Sequence, residues 1–235
     1  MRPIDKSAKM AGIFYLIFII LLPIATTLRS QIVISGDAAG TAQNILANEM
    51  MFRITIITEL FAAIFFVLAA WGLYTLLRTV NKNTALLFLL LNACGAAVQC
   101  ASIANLSTAL TLLSGNDYLS VIPTAQLQAQ ALLNIEAYHH GFIVANVFFG
   151  VWLLPLGYLV YRSGFLPKWL GVLIMADFVC VIYWILQAIL LPDYGYISTP
   201  GFAISFVAEV ALTLWLLVKG VDDPEKMPDG DRSKA

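Results

Sequence analysis

Six stretches of this chain run for about twenty residues or more with almost no charge, and they dictate the solvent in which it folds. They cover residues 10–28, 54–77, 84–113, 141–161, 169–191 and 201–218. A helix rises ~1.5 Å per residue, so ~20 apolar residues cross a bilayer core of ~30 Å. Soluble folds hold about 25% charged residues. This chain has 11%, with 60% hydrophobic and a mean hydropathy of +0.86. A water-soluble domain could not hide that much apolar surface, whereas lipid tolerates it. The expected fold is therefore an all-α integral membrane protein, a bundle of six transmembrane helices forming one domain over residues 1–221. The remaining 222–235, charged and containing Pro and Gly, reads as a disordered tail.

The first stretch follows a basic lead with Arg2, Lys6 and Lys9. Its apolar run exceeds the ~7–15 residues of a signal core and no Ala-x-Ala site follows, so it reads as a span. Six spans place eleven of the thirteen basic residues on one side and only Arg29 and Arg53 on the other. The side rich in Lys and Arg is cytoplasmic, which puts both termini inside, in a bacterial cytoplasmic membrane. A formal net charge of -1 and the lack of any basic block argue against nucleic acid as a partner, leaving the lipid bilayer. Cys94, Cys100 and Cys180 lie within apolar runs without metal-ligand spacing and read as small buried hydrophobes.

Outside the spans the sequence is sparse. Ser35, Gly36 and Asp37 form a turn and helix start, and the spacing of Ala42, Ile45, Leu46, Ala47 and Met50 predicts a short amphipathic helix on the outer surface. Residues 124–138 lack Pro and Gly and should extend the fourth transmembrane helix beyond the bilayer. Residues 162–168 form a tight turn, with Gly164 at positive φ and Pro167 opening the next helix. Pro23 and Pro155 fall inside spans, where lipid-embedded helices tolerate them.

Three segments carry a resemblance. They are AKMAGIFYL at residues 8–16, GDAAGTAQNILAN at 36–48 with Phe52 and Arg53, and PLGYLVYRSGFLPKWLG at 155–171. Together they resemble the bacterial multi-pass membrane family called domain of unknown function 4386 (DUF 4386). The resemblance extends over nearly the whole chain except the tail. It implies one helical membrane domain and no particular activity or cofactor.

Ionisable side chains in hydrocarbon cost at least ~2.5–3.5 kcal/mol on insertion scales, so each one marks a candidate functional position. The spans hold Glu59, Asp177 and Glu209, with Glu136, His139 and His140 at the outer mouth of the fourth helix. Within the runs no Lys or Arg stands ready to pair with these acids. Unpaired, each must be protonated, hold a cation or face water. At ~100° per residue His139, Asn146, Gly150 and Gly157 lie within about 20° of one line, with Glu136 about 60° and His140 about 100° away. His139 is thus the expected inward histidine. Thr55, Glu59, Ala63, Phe66 and Ala70 share a face of the second span, Asn92, Ala96 and Gln99 of the third, and Phe202, Ser205, Glu209 and Thr213 of the sixth.

By depth Asn92, Asp177 and Glu209 fall near one level, about 12–14 Å from the cytoplasmic ends. Glu59, Gln99 and Asn146 lie higher, with Glu136 and His139 above them. Glu136, Asn146, Asp177 and the other polar groups thus suggest a pocket opening outward. Its expected ligand is a small solute, proton or cation. Glu136 and His139 also form the Glu-x-x-His spacing of helical metal sites, with His140 as a further donor, although such sites use two of these motifs.

Gly-rich phosphate loops, Gly-x-Ser-x-Gly elbows, Cys-x-x-Cys pairs and His-x-x-x-His pairs are all missing. Nothing therefore specifies an enzyme. The alternatives are a membrane-embedded, metal-dependent enzyme acting on a lipophilic substrate, or a non-catalytic membrane partner whose acids only specify packing.

Overall fold

The structure is a computed structural model that describes residues 3–221. The expected disordered tail lies outside those residues. Every long element is helical: α1 (Pro3–Ser30), α2 (Ala38–Ala47), α3 (Glu49–Leu77), α4 (Lys82–Leu113), α5 (Thr124–Arg162), α6 (Lys168–Leu190) and α7 (Thr199–Leu214). Six helical segments are long and apolar enough to cross a membrane, all but the short α2. Pro192–Ser198 winds into a tighter helical turn that leads into α7. At its far end α7 passes into a wider π turn over Trp215–Lys219.

The helices start where their sequences cap them. Asp37 Oδ1 accepts the Gly40 amide at 2.8 Å to open α2, and Asn81 Oδ1 accepts the Thr84 amide at 2.9 Å at the head of α4. Gly164 has φ 71°, so the turn between α5 and α6 uses a conformation that side chains resist, as expected from its sequence. Pro23 and Pro155 sit inside continuous helices. Residues 124–138 do extend the fourth span, making α5 a single 39-residue helix.

Consecutive long helices pack side by side, α1 on α3, α3 on α4, α4 on α5, α5 on α6 and α6 on α7, and α7 returns to α1 to close the ring. In lipid the hydrophobic effect between helices is absent, so close packing must hold the ring together. Gly171 shows how close it is. A Cβ there would lie 2.6 Å from the Tyr161 amide nitrogen and 2.7 Å from the Gly157 carbonyl, so α5 and α6 meet backbone to backbone.

An aromatic cluster fills the interior. Phe66 stacks on Phe18 at 4.0 Å and meets Trp152 edge-on at 5.0 Å, tying α3 to α1 and α5. The outward faces carry large apolar side chains such as Ile57, Phe61, Ile64, Leu90, Val179 and Phe206. Polar groups turn inward instead, the arrangement suited to a lipid surround.

The expected short helix is present as α2, although its contact face differs in part from the spacing that predicted it. The buried face of α2 is Thr41, Ala42 and Ile45, while Leu46 and Met50 are exposed. The helix docks on α5 through Ile45 and is held by Asn44, whose amide donates to the Ile32 carbonyl at 3.0 Å. The contacts that decide its orientation are therefore with protein. The cysteines are not core residues either: Cys94 is exposed, and Cys100 and Cys180 are partly so.

Candidate functional site

The bundle contains an inner cavity of about 110 Å³. All six long helices line it, with Gln99 of α4, Asn146 of α5, Asp177 of α6, and Ser205 and Glu209 of α7 as its polar groups. At ~30 Å³ per water, that volume holds about four. Asp177 is only 2% exposed and accepts a hydrogen bond from the Ser205 hydroxyl. The Tyr15 phenol of α1 lies beside the Glu209 carboxyl. No Lys, Arg or His is among the described residues lining this space.

Next to it, a buried network joins four helices. Arg29, at the end of α1, pairs with Glu59 of α3. The same guanidinium nitrogen donates to the Tyr138 hydroxyl of α5 at 2.9 Å. Tyr138 Oη lies 2.8 Å from Glu59 Oε1 and 3.0 Å from Oε2, so its single proton serves the carboxylate. Gln99 of α4 completes the set, its Nε2 donating to Glu59 Oε1 at 3.1 Å. The Arg29 guanidinium carbon also stands 4.4 Å from the centre of the Tyr138 ring, a cation–π distance. Gln99 belongs to both assemblies, since it bonds Glu59 and lines the inner cavity.

On the other side of the network lies a cleft of about 560 Å³ between α1 and α5. Arg29 and Tyr138 form part of its wall. Glu136, His139 and His140 line it as well, with Val33, Leu132, Ile135 and Phe142 supplying hydrocarbon. Arg29 is 5% exposed, and its second terminal nitrogen, Nη1, has no hydrogen-bond partner among the described residues.

The sequence expectations divide unevenly over this geometry. Glu59 and Gln99 come together, as do Gln99, Asn146, Asp177 and Glu209. The expectation that the acids lack a basic partner is wrong for Glu59. α1 continues to Ser30, beyond its apolar run, which brings Arg29 inside the bundle instead of into a surface loop. Asn92 is fully buried but does not line the inner cavity, and neither of its amide atoms has a partner among the described residues. The inward residue at the mouth of α5 is Tyr138, with His139 exposed on the cleft side.

Gly150 and Gly157 face α6, against Val181 and Met175, so their part of the line is a packing seam, while Asn146 on the same line borders the inner cavity. Phe202, placed with Glu209 on the inward face of the last span, is exposed. Glu136, His139 and His140 share the cleft, yet the described residues contain no group of three His, Cys, Asp or Glu able to hold a metal ion.

The sequence pattern described as Domain of unknown function (DUF4386) matches residues 10–220. The chain belongs to this family. The DUF4386 match spans all six long helices and includes every residue lining the inner cavity and the cleft. An uncharacterized protein of Archaeoglobus fulgidus is 32% identical over 154 residues, which are 66% of this chain and 76% of that protein. No solved structure matches the chain.

Proposed function

We propose that this protein binds a proton or small cation at Asp177 and Glu209 inside a multi-pass bundle of a prokaryotic cytoplasmic membrane. One observation carries the reading. Two carboxyl groups from neighbouring helices face a single internal cavity whose described lining includes no basic side chain. Two acids sharing such a space must be compensated, and a proton or a cation is what the cavity can admit. Gln99, Asn146 and Ser205 supply neutral oxygen and amide groups that would complete the shell of a small ion. Asparagine, glutamine and two acids are oxygen donors, so the expected cation is a hard one.

Orientation belongs to the same proposal. Both cations at the α1–α3 end are neutralised, Arg29 by Glu59 and Arg53 by Glu49. Lys9, Arg78, Lys82, Arg162, Lys168 and Lys219 lie at the opposite end. By the positive-inside rule that end is cytoplasmic, as are both termini. The archaeal relative supports a prokaryotic membrane without restricting it to bacteria.

The test is thermal unfolding of the purified protein in neutral detergent, from about pH 5 to about pH 8 and over a panel of mono- and divalent cations. A ligand of the native state raises the midpoint with its concentration. A response to pH or to one cation in the native chain, lost in Asp177→Asn/Glu209→Gln, is the expected result. A native protein that responds to neither overturns the reading.

A further inference from the structure

The cleft between α1 and α5 is separate from the acid pair and has its own chemistry. Three observations define it. Its volume, about 560 Å³, is that of a small-molecule site. Much of its wall is hydrocarbon, from Val33, Leu132, Ile135 and Phe142. Arg29 forms part of that wall, nineteen-twentieths buried, with Nη1 lacking a hydrogen-bond partner among the described residues.

A guanidinium presents its N–H groups in a planar fork, and it binds oxyanions through two of them at once. In this chain Nη2 is committed to Glu59 and Tyr138. Nη1 is left with unmet donors in a low-dielectric setting, which costs about 1–3 kcal/mol until an acceptor arrives. Glu59 already balances the arginine, so a second full anion here would give the site one net negative charge. Glu136 at the rim opposes a doubly charged group. A singly charged oxyanion fits this balance. The apolar wall calls for a hydrocarbon body attached to it.

We infer that the α1–α5 cleft binds an amphiphile through its oxyanion, a carboxylate or phosphodiester held by Arg29, with its apolar body along Leu132, Ile135 and Phe142. Such a molecule could be a free fatty carboxylate or a phospholipid of the surrounding bilayer. The two share the chemistry the cleft reads, and they differ in what supplies them. The site goes beyond the proposed acid pair and stands or falls without it, because no residue lines both cavities except Phe142.

The experiment titrates detergent-purified protein with dodecanoate, dihexanoyl-phosphatidylglycerol, dodecanol and inorganic phosphate, following the thermal midpoint by tryptophan fluorescence. Dodecanoate or the phospholipid should raise the midpoint saturably, and the one that binds more tightly identifies the source. Dodecanol and inorganic phosphate, each carrying half of the chemistry, should leave it unchanged.

Two variants guard against a folding artefact. Arg29→Gln/Glu59→Gln removes both charges together, so no buried ion is orphaned, and should weaken amphiphile binding by about tenfold or more. Leu132→Trp narrows the cleft without touching the network and should abolish the shift while keeping the ligand-free midpoint. The inference is overturned if dodecanol matches dodecanoate, if inorganic phosphate alone reproduces the shift, if neither amphiphile binds, or if the double variant binds as the native chain does.

Discussion

The Arg29–Glu59 pair offers the sharpest test of how this bundle is held. Glu59 is wholly enclosed, and it receives hydrogen bonds from Arg29, Tyr138 and Gln99. Replacing Glu59 with Leu removes the acceptor for all three and strands a buried guanidinium. Arg29→Met strands the carboxylate instead. Each single change should cost about 3–5 kcal/mol, because an uncompensated buried charge loses its partner but keeps its desolvation. The double variant Arg29→Met/Glu59→Leu leaves no charge behind and should fall well short of the sum, since apolar replacement of a whole buried pair is often close to neutral.

With each single change at about 3–5 kcal/mol and a double variant near neutral, the coupling energy in that cycle should approach about 6–10 kcal/mol, against ~0.6 for an average interhelical hydrogen bond in a membrane protein. Unfolding in mixed detergent–SDS micelles, followed by circular dichroism, measures all four proteins on one scale. Additive costs, with a coupling below about 1 kcal/mol, would refute the argument. They would mean that the two groups are solvated separately and that the bundle does not depend on their contact.

Other expectations follow from single features. Tyr138→Phe removes a hydroxyl that accepts from Arg29 and donates to Glu59, and should lower stability by about 1.5–3 kcal/mol in the same assay. Gly171→Val puts carbon where the Gly157 carbonyl and the Tyr161 amide nitrogen already stand, and should cost about 1–3 kcal/mol or more through separation of α5 and α6. In a background lacking the three native cysteines, Ser120→Cys should react with a membrane-impermeant maleimide added to intact cells, while Thr79→Cys should react only after lysis. The reverse pattern would invert the orientation.

What the sequence made legible was the inward face of helices whose surroundings are apolar. On α3 the residues Thr55, Glu59, Ala63, Phe66 and Ala70 stand out by period, and all five are buried. On α4 the same reasoning places Asn92, Ala96 and Gln99 correctly in the interior. A polar residue in hydrocarbon has few places to go, so periodicity alone assigns its side. Which neighbour it meets is a different question. Asn92 was expected near Asp177 and Glu209 by depth, but depth says nothing about rotation around the bundle, and the inner cavity lies elsewhere.

The misses have a common physical cause. Arg29 ends an apolar run, and counting charges for topology treats such a residue as loop. The helix carries on to Ser30, and two further residues are enough to bring a long side chain back into the bundle. Tyr138 was hidden because a tyrosine near a helix mouth reads as an interfacial anchor. Its helical stripe tells otherwise. Tyr138, Ala145, Phe149, Trp152 and Leu156 fall on one face of α5 at ~100° per residue, and all are buried.

The glycine line through Gly150 and Gly157 lies about 100–120° away from that face. A stripe of small and polar residues suits a helix–helix contact or a cavity wall, and here the glycines make the contact while Asn146 lines the cavity. Glycine marks where backbones touch, and a polar aromatic stripe marks where side chains converge. In this bundle the two faces point to different helices: α6 receives the glycines, and α3 receives Tyr138 through Glu59. A four-helix polar junction was therefore written on the aromatic stripe of α5 and the last turn of α1, the two places where a membrane sequence offers an ordinary explanation for the same residues.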